Sequence, residues 1–176
     1  MDGVMSEPVS AAIPVAGVEL PFEDFYRGGR DRVARALALT LGDAHLAADA
    51  VDEAMARAYQ RWDRVGCLDN PGGWVYRVAL NWSLSALQRR RRPVRAVHDR
   101  ELQDVEQPGE PTVRAALQEL DVRQRAVVVC RFYLGLSELE TAAALGIRPG
   151  TAKSRLHRAL RALQERLSHL SPEEPS

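Results

Sequence analysis

Residues 136–163 read LSELETAAALGIRPGTAKSRLHRALRAL. Ser137 and Glu140 stand in the Ser-x-x-Glu spacing of a capping box, in which hydroxyl and carboxylate each take an orphan backbone N–H of a starting helix. Leu139, Ala142, Ala143 and Leu145 give that short helix an apolar side. Gly146 ends it, because glycine enters the left-handed conformation without a Cβ penalty. Pro149 reopens a helix at its first position, where the missing N–H costs nothing. Along the second helix Leu156, Leu160, Leu163 and Leu167 recur at helical spacing and are expected to face the protein. Lys153, Ser154, His157, Arg158 and Arg161 take the other side, with donors suited to phosphates and base edges. A basic amphipathic helix alone favours an ordinary solvated face. The capped short helix, the glycine turn and the proline restart favour a helix-turn-helix that enters a DNA groove.

The zero net charge of the 176 residues conceals blocks. Residues 1–70 carry 7 basic and 12 acidic groups, whereas residues 71–95 carry 6 basic and none acidic. Residues 96–147 carry 5 and 9, and residues 148–170 carry 6 and 1. Two basic blocks, each ending a helical region, suggest two contacts with one polyanion. The acidic first block fits either a basic protein partner or a solvated surface.

Several classes are excluded or left without support. No apolar run approaches the roughly 18 residues of a membrane span, and residues 1–21 lack the pattern of a signal peptide. A cytoplasmic protein without membrane insertion is the expectation. Cys67 and Cys130 fit no disulfide or metal spacing, and the four His show none either. No cofactor and no metal are expected. Cys130 lies in the apolar run AVVVC and reads as a core residue, while Cys67 reads as an exposed thiol in a loop. Paired catalytic motifs and a phosphate-binding glycine loop are missing, so the chain is not expected to be an enzyme.

The expected fold class is all-α, with two small helical domains joined by a flexible linker. Residues 1–18 read as a flexible tail and 171–176 as another. In the first domain, 19–92, Phe22, Phe25, Tyr26, Val33, Leu37 and Leu41 line one helix. Asp43 caps a second helix running to about Trp62, with Leu46, Ala50, Val51, Ala54, Ala58 and Trp62 inward. Asp49, Asp52, Glu53 and Gln60 face outward. Asn70 caps a third helix, with Pro71 at its first position, that runs to the stop at Pro93. Residues 93–111, with Pro93, Pro108, Gly109 and Pro111, read as the linker. Helices resume over Thr112–Leu120 and Asp121–Leu134, so the second domain spans 112–170.

Both halves resemble a bacterial sigma factor of the small, extracytoplasmic-function type in the sigma-70 family. The resemblance covers about residues 22–168. Gly150-Thr151-Ala152-Lys153-Ser154-Arg155-Leu156 is similar to the Gly-Thr-Val-Lys-Ser-Arg-Leu signature of region 4. It implies a sigma-4 domain reading the −35 promoter element in the major groove. Lys153, Ser154, His157 and Arg158 would make base or near-base contacts. Arg148, Thr151 and Arg155 would hold phosphates near the helix N-terminus, with Arg161 further along the same face. Arg155 reads equally as a structural ion-pair residue.

Ala48 to Met55 resembles region 2.2, which docks on the clamp coiled coil of the polymerase β′ subunit; Asp49, Asp52 and Glu53 would carry that contact. The alternative is a solvated acidic face. Asp52 and Met55 stand where the family has Gln and an aromatic residue. PGGWVYRVALN, residues 71–81, is similar to region 2.3–2.4, which implies −10 recognition and strand opening by a sigma-2 helical bundle. Trp74 would stack on a base or serve as a core residue. Arg77, Asn81, Arg89, Arg90, Arg91 and Arg92 would hold the backbone and the single strand, and the run of four Arg has a plain solubility reading as its alternative. The base pocket would lie in the preceding loop, about Val65 to Asn70, and Asp69 and Asn70 are candidate −10 DNA contacts. Ser85 and Gln88 replace an Asp and an Arg frequent in the family.

The implied function is promoter-specific initiation with a bacterial RNA polymerase core, through its β′ clamp coiled coil and β flap, on promoter DNA. An anti-sigma factor is a further possible partner. Two rivals stand beside it: a stand-alone helix-turn-helix regulator, which the all-helical block Phe22–Arg92 disfavours, and a sigma-like decoy that binds polymerase or an anti-sigma protein without directing a promoter.

Overall fold

A computed structural model describes residues 21–91 and 110–167, and every regular element among them is helical. The expected tails 1–18 and 171–176, most of the expected linker, and Arg92 lie outside the described residues.

The first half contains four helices: α1 (Phe22–Leu41), α2 (Ala44–Tyr59), α3 (Trp62–Val65) and α4 (Pro71–Arg91). Gly42, at φ 75°, ends α1 in the left-handed conformation, and the Asp43 carboxylate then accepts from the Leu46 N–H to cap α2. The expected second helix stops at Tyr59, and Trp62 opens the separate short α3. Asn70 caps α4 by accepting from the Gly73 N–H at 2.7 Å, with Pro71 at the first helical position.

The second half begins with α5 (Pro111–Gln118), capped by the Glu110 carboxylate, two residues inside the stretch expected as linker. Asp121 caps α6 (Val122–Val128), which runs into a π-helical turn over Val129–Tyr133. The sequence reading treated 121–134 as one plain helix. Then come α7 (Glu138–Leu145) and α8 (Pro149–Leu167). The capping box at Ser137 and Glu140 is formed in both directions.

In the first half α1, α2 and α4 pack on one another, and α8 packs on α5, α6 and α7 in the second. The halves also pack together, α1 against α5, α6 and the π turn, and α4 against α7. The C-terminal end of α1 is consequently buried on all sides, from Ala36 through Thr40. One apolar cluster runs from Val33 in α1 through Tyr76 in α4 and Cys130 in the π turn to Ala159 in α8.

The inward face of α8 departs from the expectation at one leucine, Leu160; Leu156, Leu163 and Leu167 are partly buried as expected. Ala152 and Ala159 are its buried residues, Leu156 and Leu163 are partly buried, and Leu160 is 39% exposed. The apolar stripe therefore runs 152–156–159–163, keeping Leu156 and Leu163 of the leucine repeat and putting Ala159 where Leu160 was expected. Small alanines let α8 approach its neighbours closely, and Leu160 is turned outward.

Candidate nucleic-acid interface

The helix-turn-helix is assembled as its capping chemistry demands. Gly146, at φ 64°, closes α7, and its N–H bonds back to Ala142 and Ala143. Pro149 opens α8. On α8, Lys153, Ser154, His157, Arg158 and Arg161 are all exposed, as is Arg148 just before it. Lys153, His157 and Arg148 have no ion pair among the described residues. The Ser154 hydroxyl donates to the Thr151 carbonyl at 3.1 Å, and the Arg158 Nε donates to the Ser154 carbonyl at 3.3 Å. Arg161 lies 3.9 Å from Glu165, a loose surface pair that water screens heavily. Thr151 and Arg155 are half-buried, nearer the turn. One face of α8 thus presents a row of donors whose charge is barely neutralised, beside the backbone N–H groups of a helix start.

The second basic element is α4. Trp74 is half-buried and packs against the core, which favours its structural reading. Arg77, Asn81 and Arg89 are exposed along the helix. Ser85 returns its hydroxyl to the Asn81 backbone carbonyl at 2.9 Å. Arg90 and Arg91 belong to α4, but their side chains lie outside the described residues. Asp69 is exposed, whereas the Asn70 oxygen is occupied by capping α4.

The acidic face of α2 is exposed at Asp49 and Asp52 and half-exposed at Glu53. Two arginines that the sequence reading missed lie on this face. Arg30 of α1 makes two parallel hydrogen bonds of 2.9 Å to the Asp52 carboxylate, and Arg57 pairs with Glu53 at 2.8 Å. Arg57 is legible as an i,i+4 neighbour. Arg30 is not, since 22 residues separate it from Asp52. Met55 is buried in the core and takes no part in this face. Beside it opens a surface cleft of about 640 Å³ lined by Phe22, Tyr26, Arg30 and Tyr59 among others.

Two cysteines complete the inventory. Cys67 is exposed, its thiol bonded to the Asp63 carbonyl at 3.2 Å. Cys130 is buried beside the Tyr76 hydroxyl, and burial pushes its thiol up to about 12. The described residues contain no cluster able to hold a metal ion and no helix long and apolar enough to cross a membrane.

Comparison with known proteins agrees with this layout. Residues 25–93 match the family profile "Sigma-70 region 2", and residues 112–163 match "Sigma-70, region 4". The chain belongs to the sigma-70 family, carrying both regions in order on an all-helical frame. It is 34% identical over 158 residues to the RNA polymerase sigma-E factor of Streptomyces avermitilis, covering 86% of this chain and 87% of that protein. To the ECF RNA polymerase sigma factor SigL of Mycobacterium tuberculosis it is 35% identical over 151 residues, covering 77% and 81%. Its fold is similar to that of the sigma factor RpoE of Bartonella quintana, solved in complex with the anti-sigma factor NepR. That match has a TM-score of 0.68 at 23% identity and covers 84% of this chain and 96% of that one. A regulator with a receiver or ligand domain ahead of its helix-turn-helix does not fit a first half that is region 2.

Proposed function

We propose that this chain is a promoter-specificity subunit of bacterial RNA polymerase, acting in the cytoplasm and not an enzyme by itself. In this reading the exposed face of α8 reads the −35 element, with Lys153, Ser154, His157 and Arg158 at or near base edges. Arg148, Thr151, Arg155 and Arg161 hold phosphates, whose contacts position the helix without carrying sequence information. Arg77, Asn81 and the arginines at the end of α4 follow the −10 strand. Asp49, Asp52 and Glu53 meet the polymerase clamp, with Arg30 already neutralising part of the Asp52 charge. The observation that carries the proposal is the pairing of regions 2 and 4 on one chain with a basic, exposed α8.

Binding by each domain is modest alone, and the two reinforce one another once polymerase sets their spacing. Free protein is therefore expected to footprint promoter DNA weakly and the holoenzyme strongly. Runoff transcription on a promoter library with purified core polymerase tests the proposal. Specific transcripts should appear only with this protein. The double variant Lys153→Ala/Arg158→Ala should lower them by roughly tenfold or more, the scale of one or two lost base contacts. Core binding without any transcript would favour the decoy, and DNA binding without core binding would favour a stand-alone regulator.

A further inference from the structure

The three carboxylates of α2 read as the polymerase contact are not equivalent. Arg30 of α1 donates from Nε and from one Nη to the two oxygens of Asp52, both at 2.9 Å, and from its other Nη to Asp31 at 3.1 Å. All three guanidinium nitrogens are thus held by carboxylates of this chain. Arg57 pairs with Glu53 across one turn of α2 at 2.8 Å. Asp49 is exposed and has no ion pair among the described residues.

The two pairs differ in kind. Arg57 and Glu53 are 46% and 42% exposed, and pairs so open to water are weak and readily exchanged. Arg30 is only 26% exposed. It lines the cleft with Phe22, Tyr26 and Tyr59, whose rings cluster, Phe22 lying 5.9 Å from Tyr26 and 5.0 Å from Tyr59. An arginine stem laid along apolar surface holds its charged head in place. A planar fork already in position loses little freedom for each bond it makes, and two parallel bonds to one carboxylate are a strong form of this pair. An arginine arriving on a partner would have to displace a guanidinium that is tethered to the same molecule.

We infer that Arg30 sets the strength of polymerase docking, by holding Asp52 in an internal pair so that a basic partner surface meets a neutral position there and the unpaired charge of Asp49 beside it. The inference rests on the polymerase-binding reading above and names, within that face, the residue that tunes it. It also accounts for a departure from the family: Asp52 stands where the family has an uncharged Gln, and with Arg30 the position is neutral again. Arg30 is a positioning residue, felt by the partner through Asp52. Charges at the edge of a docking face act on the rate of encounter and its salt dependence, whereas a charge buried in the contact acts on the rate of release. The two ways of breaking the pair therefore act in opposite directions. Loss of Arg30 uncovers an anion in front of a basic surface, and loss of the Asp52 charge uncovers a cation.

The test measures association and dissociation rates of the full chain on immobilised, purified core polymerase, beside runoff transcription. Arg30→Met, which keeps an unbranched stem, should raise the association rate about twofold to fivefold, the scale of one exposed ion pair. Asp52→Asn should lower it by a similar factor, and the double variant Arg30→Met/Asp52→Asn should return it to that of the unaltered chain. Arg30→Lys, which keeps the charge, should resemble the unaltered chain. As salt rises from about 0.1 M to about 0.5 M the rates should converge, because screening shortens the reach of each charge. Two single variants that both bind more slowly, in step with a fall in the urea midpoint, would make Arg30 structural and overturn the inference. Faster dissociation of Asp52→Asn with no effect of Arg30→Met would make Asp52 a direct contact and overturn it as well. Both outcomes leave the polymerase reading standing, provided that the unaltered chain binds core and yields transcripts. An unaltered chain that binds no core removes that reading, and the role of Arg30 with it.

Discussion

At the scale of single residues, the ends of the helix-turn-helix are set by local hydrogen bonding. Ser137 accepts from the Glu140 N–H, and the Glu140 carboxylate accepts from the Ser137 N–H, which holds that carboxyl below the usual glutamate range. Ser137→Ala should lower stability by about 1 kcal/mol, read as a shift in the urea midpoint. Gly146→Ala places a side chain at a positive φ and should cost about 1–2 kcal/mol, with loss of DNA binding where α8 is re-aimed. Thr141 is fully buried in α7, and its hydroxyl finds no partner among the described residues. An unpaired buried hydroxyl costs about 1–3 kcal/mol, so Thr141→Val should leave stability unchanged or raise it by about 1 kcal/mol. A clear loss on thermal unfolding would mean that Thr141 has a polar partner.

At the scale of elements, the starts of α2, α4, α7 and α8 were legible because caps and prolines act within three or four residues. The outward turn of Leu160 on α8 was not. Leu156 and Leu163 face inward as their spacing implies, but whether Ala159 or Leu160 fills the position between them depends on how closely the neighbours approach. Ala159 is fully buried and Leu160 is 39% exposed. Leu160→Ala should therefore cost less than about 1 kcal/mol, whereas Ala159→Leu should cost about 1–3 kcal/mol by overpacking. Equilibrium unfolding of the two variants decides between these two positions, and the reverse order would put Leu160 on the inward face. The π turn at Val129–Tyr133 was equally invisible, because its sequence is that of an ordinary apolar helix. It ends where Arg131 turns back to donate to the Leu136 carbonyl, a contact across the following turn.

At the scale of the whole molecule, the shared cluster couples the halves, and its chemistry gives a pH dependence. Cys130 is raised by burial from 9.0 to about 12, and burial also raises Tyr76 well above its ordinary 10.0. Both are neutral when folded, and the unfolded chain releases these protons at lower pH. The Cys130 contribution to stability is complete below the unfolded value and is lost as pH rises from 9.0 through about 12, and that of Tyr76 begins to be lost above 10.0. Urea unfolding at about pH 7 and about pH 10.5 should show a lower midpoint at the higher pH, with a smaller drop in Cys130→Ala. An identical drop in that variant would show that Cys130 does not carry the effect.

The sequence by itself determined the all-helical class, the caps, the two basic helices and the resemblance to both sigma regions. Each of these is local: a periodicity, a capping spacing or a short signature. Tertiary structure alone decided that Arg30 takes Asp52, that Met55 is core, that Trp74 packs inward, and that Arg77 lies on the Gly146 turn. Those partners lie beyond the few residues over which capping and helical spacing act. Whether two such groups meet depends on how closely packed helices approach, which no local pattern encodes.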